Sequence, residues 1–247
     1  MYAIVGGSGL AKLTVLQNPR RQVMRTPYGE PSGALTFGEL AGAEVVFLAR
    51  HGYGHTLAPH EINYRANIWA LKELKVEGVI AVATVGGIGA HFAPGSLVLP
   101  HQIIDYTHSR KSTFFEGSEM PVIHVDFTQP YSQALRSRLI KAAAACQEPL
   151  LDGAVYACTQ GPRLETAAEI ERIAREGGEI VGMTGMPEAV LARECELQYA
   201  ALAVVVNDAA GRGNSVQAIK LEELGGVMQA AIMRAVRILS SFFGEPQ

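Results

Sequence analysis

The chain has 247 residues, 48% of them hydrophobic and 18% charged, with a formal net charge of −3. That is enough apolar material for one large core, and no basic run supplies the stripe that nucleic acid or an anionic membrane demands. Three widely separated cysteines, Cys146, Cys158 and Cys195, lack metal-ligand spacing and point to free thiols in a reducing compartment. Residues 1–5 are too short for a signal-peptide core and no apolar run approaches membrane-spanning length, so a cytoplasmic protein with small partners is expected.

In chain order, short apolar runs alternate with helical patterns. Strands are predicted at 2–5, 44–49, 79–84, 96–99, 153–158, 179–182 and 199–206, and helices at 62–74, 131–145, 166–175, 187–194 and 221–243. No linker or repeat interrupts them, so residues 1–247 read as a single α/β domain. Its central sheet is expected to be mostly parallel and flanked by helices. Ligands of such folds bind beyond the carboxyl ends of strands, which directs attention to the loops there.

After the first strand comes Gly6-Gly7-Ser8-Gly9-Leu10. Its glycines let backbone amides approach an anion and the Ser8 hydroxyl can donate to it, although a tight turn would use the same residues. The second strand runs into Arg50-His51-Gly52, where Arg50 offers a planar fork suited to phosphate and His51 a further donor; a solvated loop pair is the alternative. Gly52, Gly54 and Pro59 separate His51, His55 and His60 and prevent a metal-ligating helix, so no metal is expected. The third strand ends Ala83-Thr84-Val85-Gly86-Gly87, again able to expose amides.

Further on, Gln160-Gly161-Pro162-Arg163-Leu164-Glu165-Thr166 leads into a helix. Thr166 and Glu169 fit a capping box, whereas Glu165 is placed to accept a ring N–H. Gly182-Met183-Thr184-Gly185-Met186-Pro187-Glu188 repeats the strand-to-helix pattern: Met183 suits apolar contact with a sugar and Thr184 puts a hydroxyl near a helix N-terminus, though a core methionine and an N-cap would look alike. The most apolar strand ends in Asn207-Asp208-Ala209, where Asn207 needs a hydrogen-bond partner from a ligand or a turn.

Taken in this order, GGSGL, LARHG, NYRANIWAL, GPRLET, GMTGMPE and the VVND strand end resemble the methylthioadenosine phosphorylase and purine nucleoside phosphorylase family over nearly the whole chain. The resemblance implies a homotrimer acting on a purine nucleoside and inorganic phosphate, without a cofactor. It assigns Ser8, Arg50, His51, Thr184 and the backbone at Ala83 and Thr84 to phosphate, Met183 to the sugar, and Asn207, with Asp208 beside it, to the purine. His124 resembles a residue lent to a neighbouring subunit's nucleoside.

The same resemblance narrows the base. Methylthioadenosine enzymes of the family carry Asp at the positions of Asn207 and Ala209, and a small hydroxyl residue in place of Glu165. An amide and a carboxylate suit a 6-oxopurine, whose N1–H is a donor. Leu221 stands where inosine and guanosine phosphorylases use a histidine for the 5'-hydroxyl, so it suits a methylthio group. The expected reaction converts S-methyl-5'-thioinosine and phosphate to hypoxanthine and 5-methylthioribose 1-phosphate, with inosine, guanosine or methylthioadenosine phosphorolysis as alternatives.

Overall fold

A computed structural model of the chain describes residues 1–7, 10, 15–118 and 121–244. Strands β1 (Tyr2–Gly6), β4 (Ala43–Ala49) and β5 (Gly78–Gly87) lie side by side and parallel at its centre, with residues 2–6 opposite 45–49 and residues 3–6 opposite 79–82. Strand β11 (Gln198–Asp208) runs parallel to β5 on a further edge. Alternation along these strands sends Ile4, Phe47 and Ile80 to one face, where α2 (Gln133–Ala145) and α5 (Leu224–Gly244) pack. Ala3, Val46 and Val79 point to the other face, covered by α1 (Tyr64–Glu73) and α4 (Gly185–Glu194).

The sheet is mixed rather than mostly parallel. Strands β2 (Gln17–Gln22), β3 (Leu35–Leu40) and β4 form an antiparallel run at one edge. Ala41 and Gly42, both at positive φ, close the β3–β4 hairpin as a two-residue turn, a connection too short for any parallel crossover. Strand β6 (Leu97–Leu99) opposes β11 and pairs in parallel with β8 (Leu151–Asp152), while β10 (Ile180–Gly182) opposes β5 and joins β9 (Val155–Cys158) and β7 (Gln102–Asp105) in parallel.

Helix boundaries follow from caps. Asn63 and Ser132 accept the first-turn amides of α1 and α2, and Thr166 with Glu169 forms the expected capping box of α3 (Ala167–Arg175). Met186 is extended inside α4, so its regular turns begin at Pro187, as predicted. The last helix starts at Leu224, after a 3-10 turn from Leu221 to Glu223. Among the described residues no helix is long and apolar enough to cross a membrane.

Two local features open the sheet where a site can form. Strand β5 pairs with β1 only as far as Val82, and its last residues, Gly86 and Gly87, pair with β10 instead, so the sheet changes neighbours across residues 83–85. A bulge at Val206 shifts the β11 register between Val205 and Asn207, re-aiming the strand end. Gly87 sits so close to the Phe92 carbonyl that an added Cβ would lie 1.9 Å from it.

Candidate active site

These strand ends, with the segments 55–59 and 162–165 and the start of α5, enclose a cavity of about 650 Å³. Its walls include Arg50, His51, Ala83, Thr84, Met183 and Thr184, together with Glu165, Asn207, Ala209 and Leu221, so residues far apart in the sequence line one space. Ser8 lies outside the described residues. Asp208 is not on the wall: its carboxylate accepts from the Asn214 N–H at 2.9 Å and holds the turn that follows. His124 is exposed in the irregular segment 121–127 and is likewise absent from the wall of its own chain.

Arg50 differs from its expected role as an open fork. It is 1% exposed, and its Nε and Nη2 donate to the two carboxylate oxygens of Glu188 at 2.6 and 2.9 Å. Nη1 reaches the Val82 carbonyl at 3.1 Å and Nη2 the Val5 carbonyl at 3.3 Å. Four hydrogen bonds are thus committed to the protein, and the remaining Nη1–H is what Arg50 can offer a ligand. Burial alone would push the guanidinium down; the Glu188 carboxylate more than offsets this and keeps it charged. A Cβ on Gly7, the next residue after β1, would come within 3.1 Å of Nη1, so that glycine keeps the approach open.

His51 is also not the donor expected from sequence. Its Nδ1 lies 2.8 Å from the Leu57 carbonyl, which can only accept, so Nδ1 carries the proton of the neutral ring and Nε2 is an acceptor. Burial, helped by the Arg50 and His55 charges, pushes the imidazole down to about 4. His51 can therefore take a hydrogen bond from a hydroxyl or from a protonated phosphate oxygen. Between pH 6.5 and about 4 the unfolded chain binds a proton there that the folded chain refuses, so this contribution is full above pH 6.5 and is lost as pH falls through that window. Urea midpoints measured against pH should fall less steeply below pH 6.5 in His51→Gln than in the parent chain; parallel curves would refute the assignment.

Thr184 is buried at the N-cap position of α4, and its hydroxyl makes no capping bond to that helix. Asn207 donates from Nδ2 to the Asp208 carbonyl at 2.7 Å, leaving Oδ1 and a second N–H. Glu165 accepts from the Thr159 hydroxyl through Oε1 at 2.5 Å, which leaves Oε2 for another donor. Leu221 is 63% exposed and shares the rim with Ile219, Leu224 and Met228.

The sequence reading missed Glu188, whose only local signal was an acidic residue in a helix first turn, a common partner of the helix dipole. It also left His55 outside the site, although its ring lies 4.5 Å from that of His51 and lines the cavity.

The geometry is matched by similarity to known proteins. The phosphorylase superfamily pattern covers residues 1–244. The chain is 56% identical over 216 residues to a probable S-methyl-5'-thioinosine phosphorylase of Pseudomonas syringae pv. tomato, a match covering 87% of this chain and 88% of the relative. It is 51% identical over 214 residues to a 6-oxopurine nucleoside phosphorylase of Pyrococcus furiosus, covering 85% and 80% respectively. A solved methylthioadenosine phosphorylase sourced from an antarctic soil metagenomic library superposes with a TM-score of 0.89 at 38% identity, over 98% of this chain and 84% of that one. The strand-end cavity, the buried Arg50 beside it and a family match over nearly the full length lead to one conclusion: the chain belongs to the phosphorylase superfamily.

Proposed function

We propose that the chain cleaves S-methyl-5'-thioinosine with inorganic phosphate, giving hypoxanthine and 5-methylthioribose 1-phosphate. The observation that carries this reading is the shared cavity, in which Glu165 and Asn207 face the same space as Arg50, His51 and Thr184. Names borne by the Pseudomonas and Pyrococcus relatives support a 6-oxopurine base.

In this mechanism the bond between the sugar C1' and the base N9 breaks with its electron pair going to the purine, and a phosphate oxygen forms the new bond to C1'. The remaining Nη1–H of Arg50, the Thr184 hydroxyl and the amides near Ala83 and Thr84 hold phosphate beneath the sugar. His51 Nε2 accepts a hydrogen bond from a proton-bearing oxygen. Met183 packs on the sugar. The departing purine takes a proton from solvent at N7, and Asn207 accepts from that N7–H through Oδ1 and donates its second N–H to O6, so charge arriving on the base is stabilised as it develops. Positioning and electrostatics carry the reaction, with phosphate as the co-substrate and no cofactor or metal.

The apolar side chains of Leu221, Leu224 and Met228 offer a methylthio group contact and a 5'-hydroxyl no hydrogen-bond partner. The likeness to the Pyrococcus relative favours inosine or guanosine phosphorolysis as the second reading. A panel of methylthioinosine, inosine and methylthioadenosine, each with phosphate, separates them. Methylthioinosine should have the highest kcat/KM, by about tenfold or more over inosine; equal values for the two would end the methylthio assignment. The reading also includes a cytoplasmic homotrimer with His124 lent across the interface, supported by Val122 and Ile123 exposed beside it.

A further inference from the structure

We infer that Arg110 is a positioning residue that locks three walls of the cavity to one another without entering it. Arg110 lies in the irregular segment after β7 and is absent from the cavity wall. Its six hydrogen bonds all end on neutral oxygens. Nη1 donates to the carbonyls of Met183 at 2.9 Å and Met186 at 2.6 Å, and to the Tyr64 hydroxyl at 3.2 Å. Nη2 donates to the carbonyls of Thr159 at 3.3 Å and Gln160 at 2.7 Å, and Nε to the Gln160 side-chain oxygen at 3.1 Å.

Each acceptor belongs to a segment that shapes the site. The Met183 carbonyl shares a rigid peptide plane with the Thr184 N–H, so fixing one fixes the orientation of the other. Thr159 and Gln160 open the loop to Glu165, and the Thr159 hydroxyl is the group that holds the Glu165 carboxylate. Tyr64 passes the contact on by donating to the Pro59 carbonyl at 2.9 Å, and Pro59 is on the cavity wall. One planar cation with five N–H groups therefore spans the loop carrying Glu165, the loop carrying Met183 and Thr184, and the wall at Pro59. A point-charge ammonium cannot reproduce that span.

This inference rests on the phosphorolysis reading for what fills the cavity. The test compares the parent chain with Arg110→Met and Arg110→Lys, using thermal melting, calorimetric binding of inorganic phosphate, and KM and kcat on the nucleoside the parent cleaves fastest. Arg110→Met should weaken phosphate binding and raise the nucleoside KM, each by about tenfold, with Arg110→Lys intermediate in both. A merely structural role would lower kcat through loss of active molecules and leave both binding constants unchanged. Folded Arg110→Met with both constants within twofold of the parent would overturn the inference. If that variant does not fold, Arg110→Lys decides: both constants raised threefold or more support it, and parental values overturn it. Calorimetric phosphate binding needs no turnover, so a wrong substrate assignment leaves this test standing.

Discussion

Glu188→Ala should lower the unfolding free energy by about 3–5 kcal/mol, measured by urea denaturation at fixed protein concentration. Both groups of the Arg50–Glu188 pair are 1% exposed. The Glu188 carboxylate accepts two hydrogen bonds from Arg50 and a third from the Tyr199 hydroxyl at 2.9 Å. Removing it strands a guanidinium that retains only the carbonyls of Val5 and Val82, and leaves the Tyr199 hydroxyl without its acceptor. Against a typical total of roughly 5–15 kcal/mol for a folded domain, the loss is large. The double variant Arg50→Met, Glu188→Ala removes both charges and should regain most of that stability, since replacing a buried pair by apolar groups is often neutral. Its phosphate KM should still rise by about tenfold or more, which separates the architectural from the ligand-facing role of Arg50. A single variant losing less than about 1 kcal/mol, or a double variant no more stable than the single, would show that the pair is not what keeps Arg50 in place.

That pair also marks the boundary of what the sequence reveals. Strands β1, β4, β5, β9, β10 and β11 were legible because their apolar runs are buried on both faces, as in the burial of every residue of Tyr2–Gly6. Strand β2, with sequence QNPRRQ, is exposed at every position and presents no periodic signal; it exists because β3 offers it an edge. Strand β7 is four half-exposed residues that depend on β9 in the same way. The mixed direction of the sheet comes from β2 and β3, with the Ala41-Gly42 turn folding β3 back onto β4, and from β6 and β10, which run against β11 and β5; no apolar pattern encodes those directions. The loops at strand ends announced the site because glycine, arginine, threonine and asparagine are unusual after apolar runs. What those side chains do was less legible. Arg50 and Glu188 are 138 positions apart, and Leu57, whose carbonyl fixes the state of His51, carries no chemistry of its own in sequence.

Asn207→Asp combined with Glu165→Ser should swing the ratio of kcat/KM for methylthioinosine over methylthioadenosine by roughly 100-fold or more toward the adenine nucleoside. Hypoxanthine carries a donor at N1 and an acceptor at O6, and adenine carries the reverse, so each side chain meets the wrong base with like facing like. With Oε1 of Glu165 already accepting from Thr159, Oε2 is the oxygen left to read N1–H in the proposed reaction, and a bare adenine N1 would leave it desolvated and unpaired. Each such mismatch costs about 1–3 kcal/mol, so two together reach the expected swing, and each single variant should supply roughly tenfold of it. The structure adds a second consequence. Nδ2 of Asn207 donates to the Asp208 carbonyl, a bond that an ionised carboxylate cannot make, so in Asn207→Asp the new side chain must turn away from that carbonyl and overall turnover should fall while the ratio moves. Selectivity is therefore the informative quantity and kcat alone is not. A double variant that turns over both nucleosides with a ratio within about threefold of the parent would mean that neither residue reads the purine edge, and the 6-oxopurine assignment would have to move to other residues of the cavity wall.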